Sequence, residues 1–355
     1  MLLEGLQLPL TTPFYPDGRL NLRKLEHNVA AYSKTPAAGL AVLSAHGEPS
    51  MLSGEETRLV LRTAIEAAAV EKVMLAGASR DSVLETLAVA DHAAQLGYDA
   101  VLVGQPSFLQ AVGRIHGTKE LLIYFQSVAD HLAIPVIISS TDAAQGGSLP
   151  PEVIIELASH PRIIGLVDRK ATSDRLAVLR EATASVKREV TVTSIFAAVT
   201  GRMLTRHKSE PQEAILSAAM LTGAGSALAV APPAPALKTR TKVVGFQILA
   251  GSTAEMLDGL LAGAVGAMPA FAACAPQACY EVLAAWKDGD RALAEEKQAR
   301  LQAAALRIED ELGVSAIKLG CDLNGYFGGL PRLPLLPPTG EERAKVEALM
   351  LGLRN

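Results

Sequence analysis

Short apolar runs alternate along the chain with longer segments whose apolar residues recur every three or four positions. The runs at 7–13, 39–48, 72–79, 99–107, 134–140 and 161–168 are each bounded by turn residues, and most are apolar at consecutive positions rather than at alternate ones. Strands that read this way are covered on both faces, as in a parallel sheet. The intervening segments at 21–34, 55–69, 82–97, 118–132 and 151–160 carry helical spacing, for example Leu22, Leu25 and Val29 in the first. Ser53 stands where an N-cap would open the second.

Two further strand–helix pairs come late, 246–252 with 253–263 and 264–270 with 275–289. Eight such units predict a TIM (β/α)8 barrel over 1–289. A doubly wound open sheet would more often carry a glycine-rich loop after its first strand, and TTPFYPDG is not one. Residues 186–243 break the rhythm and read as an insertion between helix 6 and strand 7, with an extra strand at 189–196. From 290 to 355 the pattern is a C-terminal helical extension: 290–312, 314–325 and 341–353, the last two joined by the proline-rich GGLPRLPLLPPTG.

Composition narrows the function classes. The chain has 355 residues, 49% hydrophobic and 20% charged, enough to bury a full core without a metal or disulfides. Aromatic residues make up 4% and the net charge is −4, so nucleic acid is not an expected partner. Cys274, Cys279 and Cys321 show no metal-binding spacing and read as buried thiols of a cytoplasmic protein. The N-terminus lacks the basic start of a signal peptide. The uncharged stretch 214–237 is long enough to span a bilayer, but it is mostly Ala, Gly and Pro, and no membrane association is expected. TGAGSA at 222–227 follows no strand and reads as a flexible loop rather than a phosphate cradle. No cofactor motif is evident.

Four stretches in order now carry a resemblance: LTTPFYPDGRLN (10–21), HGEPSMLSGEE (46–56), LAGSTAEMLDGLLAGAVGAMPAFAACAP (249–276) and GLPRLPLLPPTGEE (329–342). The chain resembles the dihydrodipicolinate synthase/N-acetylneuraminate lyase family of pyruvate-dependent aldolases over nearly its whole length, 186–243 excepted. The resemblance implies a site at the C-terminal ends of the strands, a strand-six lysine that forms an imine with a 2-oxo acid, and homo-oligomers. Only a primary amine can form that imine, and burial must keep it partly deprotonated.

The family pattern I-I-G-[IL]-K-[DE] aligns with Ile163-Ile164-Gly165-Leu166-Val167-Asp168, so the lysine position holds Val167. The strand-five Y-N is Ser139-Ser140, and the strand-two threonines are Ala45 and His46. The aromatic pair after strand four keeps only Phe108, and the arginine after strand five is Ala144. Nucleophile, proton relay and carboxylate donors are lost together.

What remains admits two readings. In the preferred one, Val167 fills the former pocket, and the barrel is a pseudoenzyme or a repurposed binder. Ala45, His46, Phe108, Ser139, Ser140 and Val167 would then surround a small 2-oxo acid-like ligand, or the partner would be a protein such as an active paralogue. In the other, the chain is a carbon–carbon lyase or hydrolase that uses a relocated Lys170, or His46 and Asp168 as an acid–base pair. Each candidate has a plainer role. Lys170 can belong to a solvated charge cluster, His46 can be structural, and the serines can satisfy backbone groups at a strand end. Glu48 reads as a loop-fixing acceptor. No metal is expected, since His46, Asp168 and Glu48 fall short of a convergent set.

Overall fold

The computed structural model describes residues 1–110, 117–140, 147–209 and 237–354. Ten strands lie among the described residues: β1 (Gly5–Pro9), β2 (Gly39–Val42), β3 (Val73–Gly77), β4 (Ala100–Gly104), β5 (Val136–Ser140), β6 (Ile163–Asp168), β7 (Arg188–Thr193), β8 (Thr239–Val244), β9 (Gln247–Ala250) and β10 (Gly266–Ala267). Eight of them close a parallel barrel in the order β1-β10-β9-β6-β5-β4-β3-β2. The expected TIM barrel is therefore the observed one, and its eight units lie where the apolar runs placed them.

Alternation along the strands separates two apolar layers. Ala41, Val73, Leu75, Leu102, Ile137, Ile164, Val167 and Leu249 belong to the cluster inside the barrel. Leu8, Leu40, Val42, Val101, Ile138 and Leu166 pack outward in the larger cluster under the helices. Helix starts follow local chemistry. Ser53 accepts a hydrogen bond from the Glu56 amide and Glu56 returns one from the Ser53 amide, a capping box that opens the helix Gly54–Ala67.

Residues 186–243, expected as an insertion, hold a two-stranded antiparallel sheet, β7 with β8, and a helix at Gly201–Ser209. The strand expected at 189–196 ends at Thr193. Val190, Val192 and Val244 bury against Leu2, which ties this small sheet to the chain's N-terminal residues. TGAGSA and all of 214–237 but its last residue lie outside the described residues, as does Ala144. Among the described residues no helix is long and apolar enough to cross a membrane. The three cysteines are buried and unpaired, and burial pushes the Cys321 thiol up to about 12.

The C-terminal region is helical as expected: Arg291–Ala304, a π-helical turn at Ala305–Glu311, Val314–Leu323 and Gly340–Met350. Its proline-rich connector is fastened to the barrel by Arg332. That guanidinium donates to the Gly18 and Met51 carbonyls and forks onto both Glu56 oxygens at 2.7 and 2.8 Å. The hydrogen bonds from Arg332 hold the Glu56 carboxyl down to about 2, from an ordinary 4.5.

A depressed carboxylate stabilises the fold above its unfolded pKa, and that contribution fades as pH falls through the folded value. We therefore expect the urea midpoint to drop between pH 4.5 and 2. Glu56→Gln should flatten that segment by about 1–2 kcal/mol, the side chain being partly open to solvent. An unchanged pH profile in the variant would contradict this.

Candidate active site

Residues at and just beyond the C-terminal ends of β1, β2, β5, β6, β9 and β10 come together at the barrel mouth. A small cavity of about 40 Å³ lies there. Its polar lining comes from Ser44, His46, Ser139, Ser140 and Arg169, and its apolar lining includes Pro9, Ala45, Val167 and Met268. A cavity of this size holds about one ordered water.

Val167 occupies the position where the sequence places it. Its Cα pairs with Ser139 on β5 and with Leu249 on β9, and the residue is 3% exposed within the inner apolar cluster. Among the described residues no lysine lines the cavity. Lys170 is exposed beyond the end of β6 and is not among the residues lining the cavity.

Strand parity then separates the remaining candidates. Val167 points inward, so Asp168 points outward, with Leu166. Asp168 is fully buried, but its Oδ2 accepts from Arg175 Nε at 2.6 Å and its Oδ1 from the Lys170 amide at 3.1 Å. Arg175 also donates to the Leu149 carbonyl at 2.8 Å. The structure thus gives Asp168 to an ion pair between β6 and the helix Ser173–Ala182, and does not bring it to the cavity beside His46. The His46–Asp168 acid–base pair is not assembled, because adjacent residues of one strand face opposite sides of the sheet.

His46 does reach the mouth. It sits in a single 3-10 turn, Ala45–Gly47, after β2. The backbone around it is unusual: Leu43 and Glu48 have φ of 58° and 54°, left-handed values that non-glycine residues rarely adopt. Leu43 crosses directly over Gly77, where a Cβ would clash with the Leu43 carbonyl. Thr12 Oγ1 donates to the Gly47 carbonyl at 2.6 Å.

Glu48 fixes this loop, as expected, though through partners the sequence did not reveal. Its Oε2 accepts from the Arg332 amide at 2.9 Å, and its Oε1 lies 2.5 Å from Lys318 Nζ. Lys318 also donates to the Leu330 carbonyl at 2.9 Å and sits 4.4 Å from the Phe14 ring centre. Its side chain and that of Glu48 are at most 1% exposed. Burial lowers the Lys318 pKa, and the Glu48 charge opposes that shift. This buried amine lies on a C-terminal helix and does not line the mouth cavity.

Ser139 and Ser140 both line the cavity, and Ser140 Oγ also accepts from the Leu149 amide at 3.1 Å. Phe108 lies on a short helix after β4, is 57% exposed and does not line the cavity. Among the described residues no three His, Cys, Asp or Glu side chains converge as metal ligands would.

Arg169 is the mouth residue that the sequence reading missed. It follows Asp168 and so returns to the inner side. Its guanidinium donates to Glu309 Oε1 at 2.5 Å and to Asp310 Oδ1 at 2.6 Å, both on the π-helical turn. Glu309 Oε2 in turn accepts from Thr253 Oγ1 and from the Phe271 amide, 2.9 Å away. One buried carboxylate therefore links the exits of β6, β9 and β10 to the C-terminal region.

Comparison with known proteins matches the chain to the dihydrodipicolinate synthetase family model over residues 2–206 and 236–351. A 4-hydroxy-tetrahydrodipicolinate synthase of Acidiphilium cryptum is 26% identical over 350 residues, covering 99% of this chain and 98% of that protein. The crystal structure of YagE, a prophage protein of the dihydrodipicolinic acid synthase family from Escherichia coli K12 in complex with pyruvate, superposes with a TM-score of 0.74. The two are 24% identical, and the match covers 99% of each chain. Dihydrodipicolinate synthase from Aquifex aeolicus gives a TM-score of 0.75 at 19% identity, over 99% of this chain and 100% of the other.

Proposed function

The chain belongs to the dihydrodipicolinate synthetase family, and from that premise we propose that it is a member without imine chemistry, whose barrel mouth holds a small polar molecule non-covalently. The observation that carries this reading is Val167. The family resemblance puts the imine-forming amine at this strand-six position, and here it is a buried hydrocarbon inside the barrel. A branched alkyl group cannot attack a carbonyl, and without the covalent intermediate there is no electron sink for making or breaking a carbon–carbon bond.

The surroundings support the same reading. Ser139 stands where the resemblance puts the phenol that relays the proton, and Ala45 and His46 stand where it puts the hydroxyls that hold a carboxylate. Members of such a coupled unit act together, so their joint replacement removes far more than any single loss. The alternative chemistry finds less support: Lys170 lies out in solvent and Asp168 is taken up by Arg175.

Incubation with pyruvate and borohydride, followed by intact-mass measurement, tests the proposal. The expected result is no adduct. A stable mass increase mapping to Lys170, or to any other lysine at the mouth, would overturn it.

A further inference from the structure

The small sheet of β7 and β8 sits on the face of the barrel opposite the mouth. Leu2, just ahead of β1, packs against it. Arg188 donates to the Ala158 and His160 carbonyls ahead of β6, and Thr200 Oγ1 donates to the Val70 carbonyl ahead of β3. From this base the strands run to a tip at 194–197, where the Ser194 amide donates to the Lys238 carbonyl at 3.2 Å. Ile195 is 82% exposed at the tip and Phe196 is 50% exposed. Phe196 has a φ of 63°, a left-handed value that suits Asn or Gly. A large ring at such an open turn serves neither core packing nor turn chemistry.

The charge around this tip is one-sided. Arg240 Cζ lies 5.6 Å from the Phe196 ring centre, and Lys238 and Arg240 are both exposed. No acidic residue occurs in 190–201 or 237–245. Across 186–243 there are eight Lys and Arg against three Asp and Glu, whereas the whole chain has 33 against 37. The excess of positive charge is thus concentrated here, in a chain that is acidic elsewhere.

We propose that the tip of the β7–β8 sheet docks on an anionic lipid surface, with Ile195 and Phe196 entering the headgroup boundary and Lys238 and Arg240 meeting lipid phosphates. An apolar tip flanked by cations matches a membrane interface, which places a low-polarity layer beneath a negative surface. Nucleic acid fits less well, since its phosphates would meet the cations but offer Ile195 little apolar surface. Composition argues against a spanning segment, and a peripheral contact needs none. Docking at this face leaves the mouth open to solution.

Co-sedimentation of the full chain with vesicles tests this. Vesicles of mixed phosphatidylcholine and phosphatidylglycerol are expected to bind it at least about tenfold more tightly than pure phosphatidylcholine. Lys238→Gln/Arg240→Gln should weaken that binding about tenfold and flatten its salt dependence. Ile195→Ser/Phe196→Asn should weaken it about tenfold with the salt dependence retained. Asparagine suits the left-handed backbone, so the tip keeps its fold in that variant. A short DNA duplex at equal phosphate concentration is expected to bind more weakly than the anionic vesicles. Failure to bind anionic vesicles, equal binding to neutral ones, unchanged binding by either double variant, or tighter binding of the duplex would overturn the proposal.

Discussion

Replacing Lys318 by methionine should destabilise the chain by about 3–5 kcal/mol, the range found when one partner of a buried ion pair is removed. The geometry gives the reason. Lys318 and Glu48 are both essentially inaccessible, and their charged atoms lie 2.5 Å apart. Methionine fills most of the lysine's volume, so little of the loss comes from packing. The cost is a carboxylate left in a dry site with only the Arg332 amide to solvate it. The double variant Lys318→Met/Glu48→Gln should recover much of that loss, because it removes the stranded charge as well. Urea midpoints of the wild type, both single variants and the double variant measure the coupling directly. If the single and double variants were equally unstable, the effect would be one of packing and not of charge.

This pair shows where reading the sequence stops. The barrel was legible because each of its units is local: an apolar strand, a turn, and a helix with its own cap. The placing of Val167 was legible too: it falls at one position within an ordered motif of a strand, and it is buried inside the barrel there. Parity could have taken the reading further. If Val167 faces inward, Asp168 must face outward and Arg169 inward, which separates Asp168 from His46 and brings Arg169 to the mouth. The partners themselves were hidden. Glu48 and Lys318 are separated by 270 positions, and Arg169 and Glu309 by 140. Neither amphipathic periodicity nor charge spacing links residues across a barrel and its appended helices. The π-helical turn was hidden for a related reason. Residues 290–312 carry one continuous helical pattern, and the widened turn at Ala305–Glu311 places Glu309 and Asp310 together on Arg169.

Glu309→Ala is expected to produce a loss of similar size, about 3–5 kcal/mol, by a different route. The substitution takes a carboxylate from Arg169 and removes the acceptor for both the Thr253 hydroxyl and the buried Phe271 amide. An orphaned buried donor costs about 1–3 kcal/mol in lost solvation, so the two donors alone account for a large part of the effect. Glu309→Gln keeps one acceptor oxygen but no longer satisfies all three donors. It should fall between the wild type and alanine, at about 1.5–3 kcal/mol, the scale of one lost hydrogen bond to a charged group. Because Glu309 joins the exits of β6, β9 and β10 to the C-terminal helices, the damage should also be spatially defined. Hydrogen exchange should quicken at the Phe271 amide and through 305–311, and stay unchanged across β2 to β4 on the far side of the barrel. Uniform loss of protection, or none at Phe271, would show that this carboxylate does not tie the mouth to the C-terminal region.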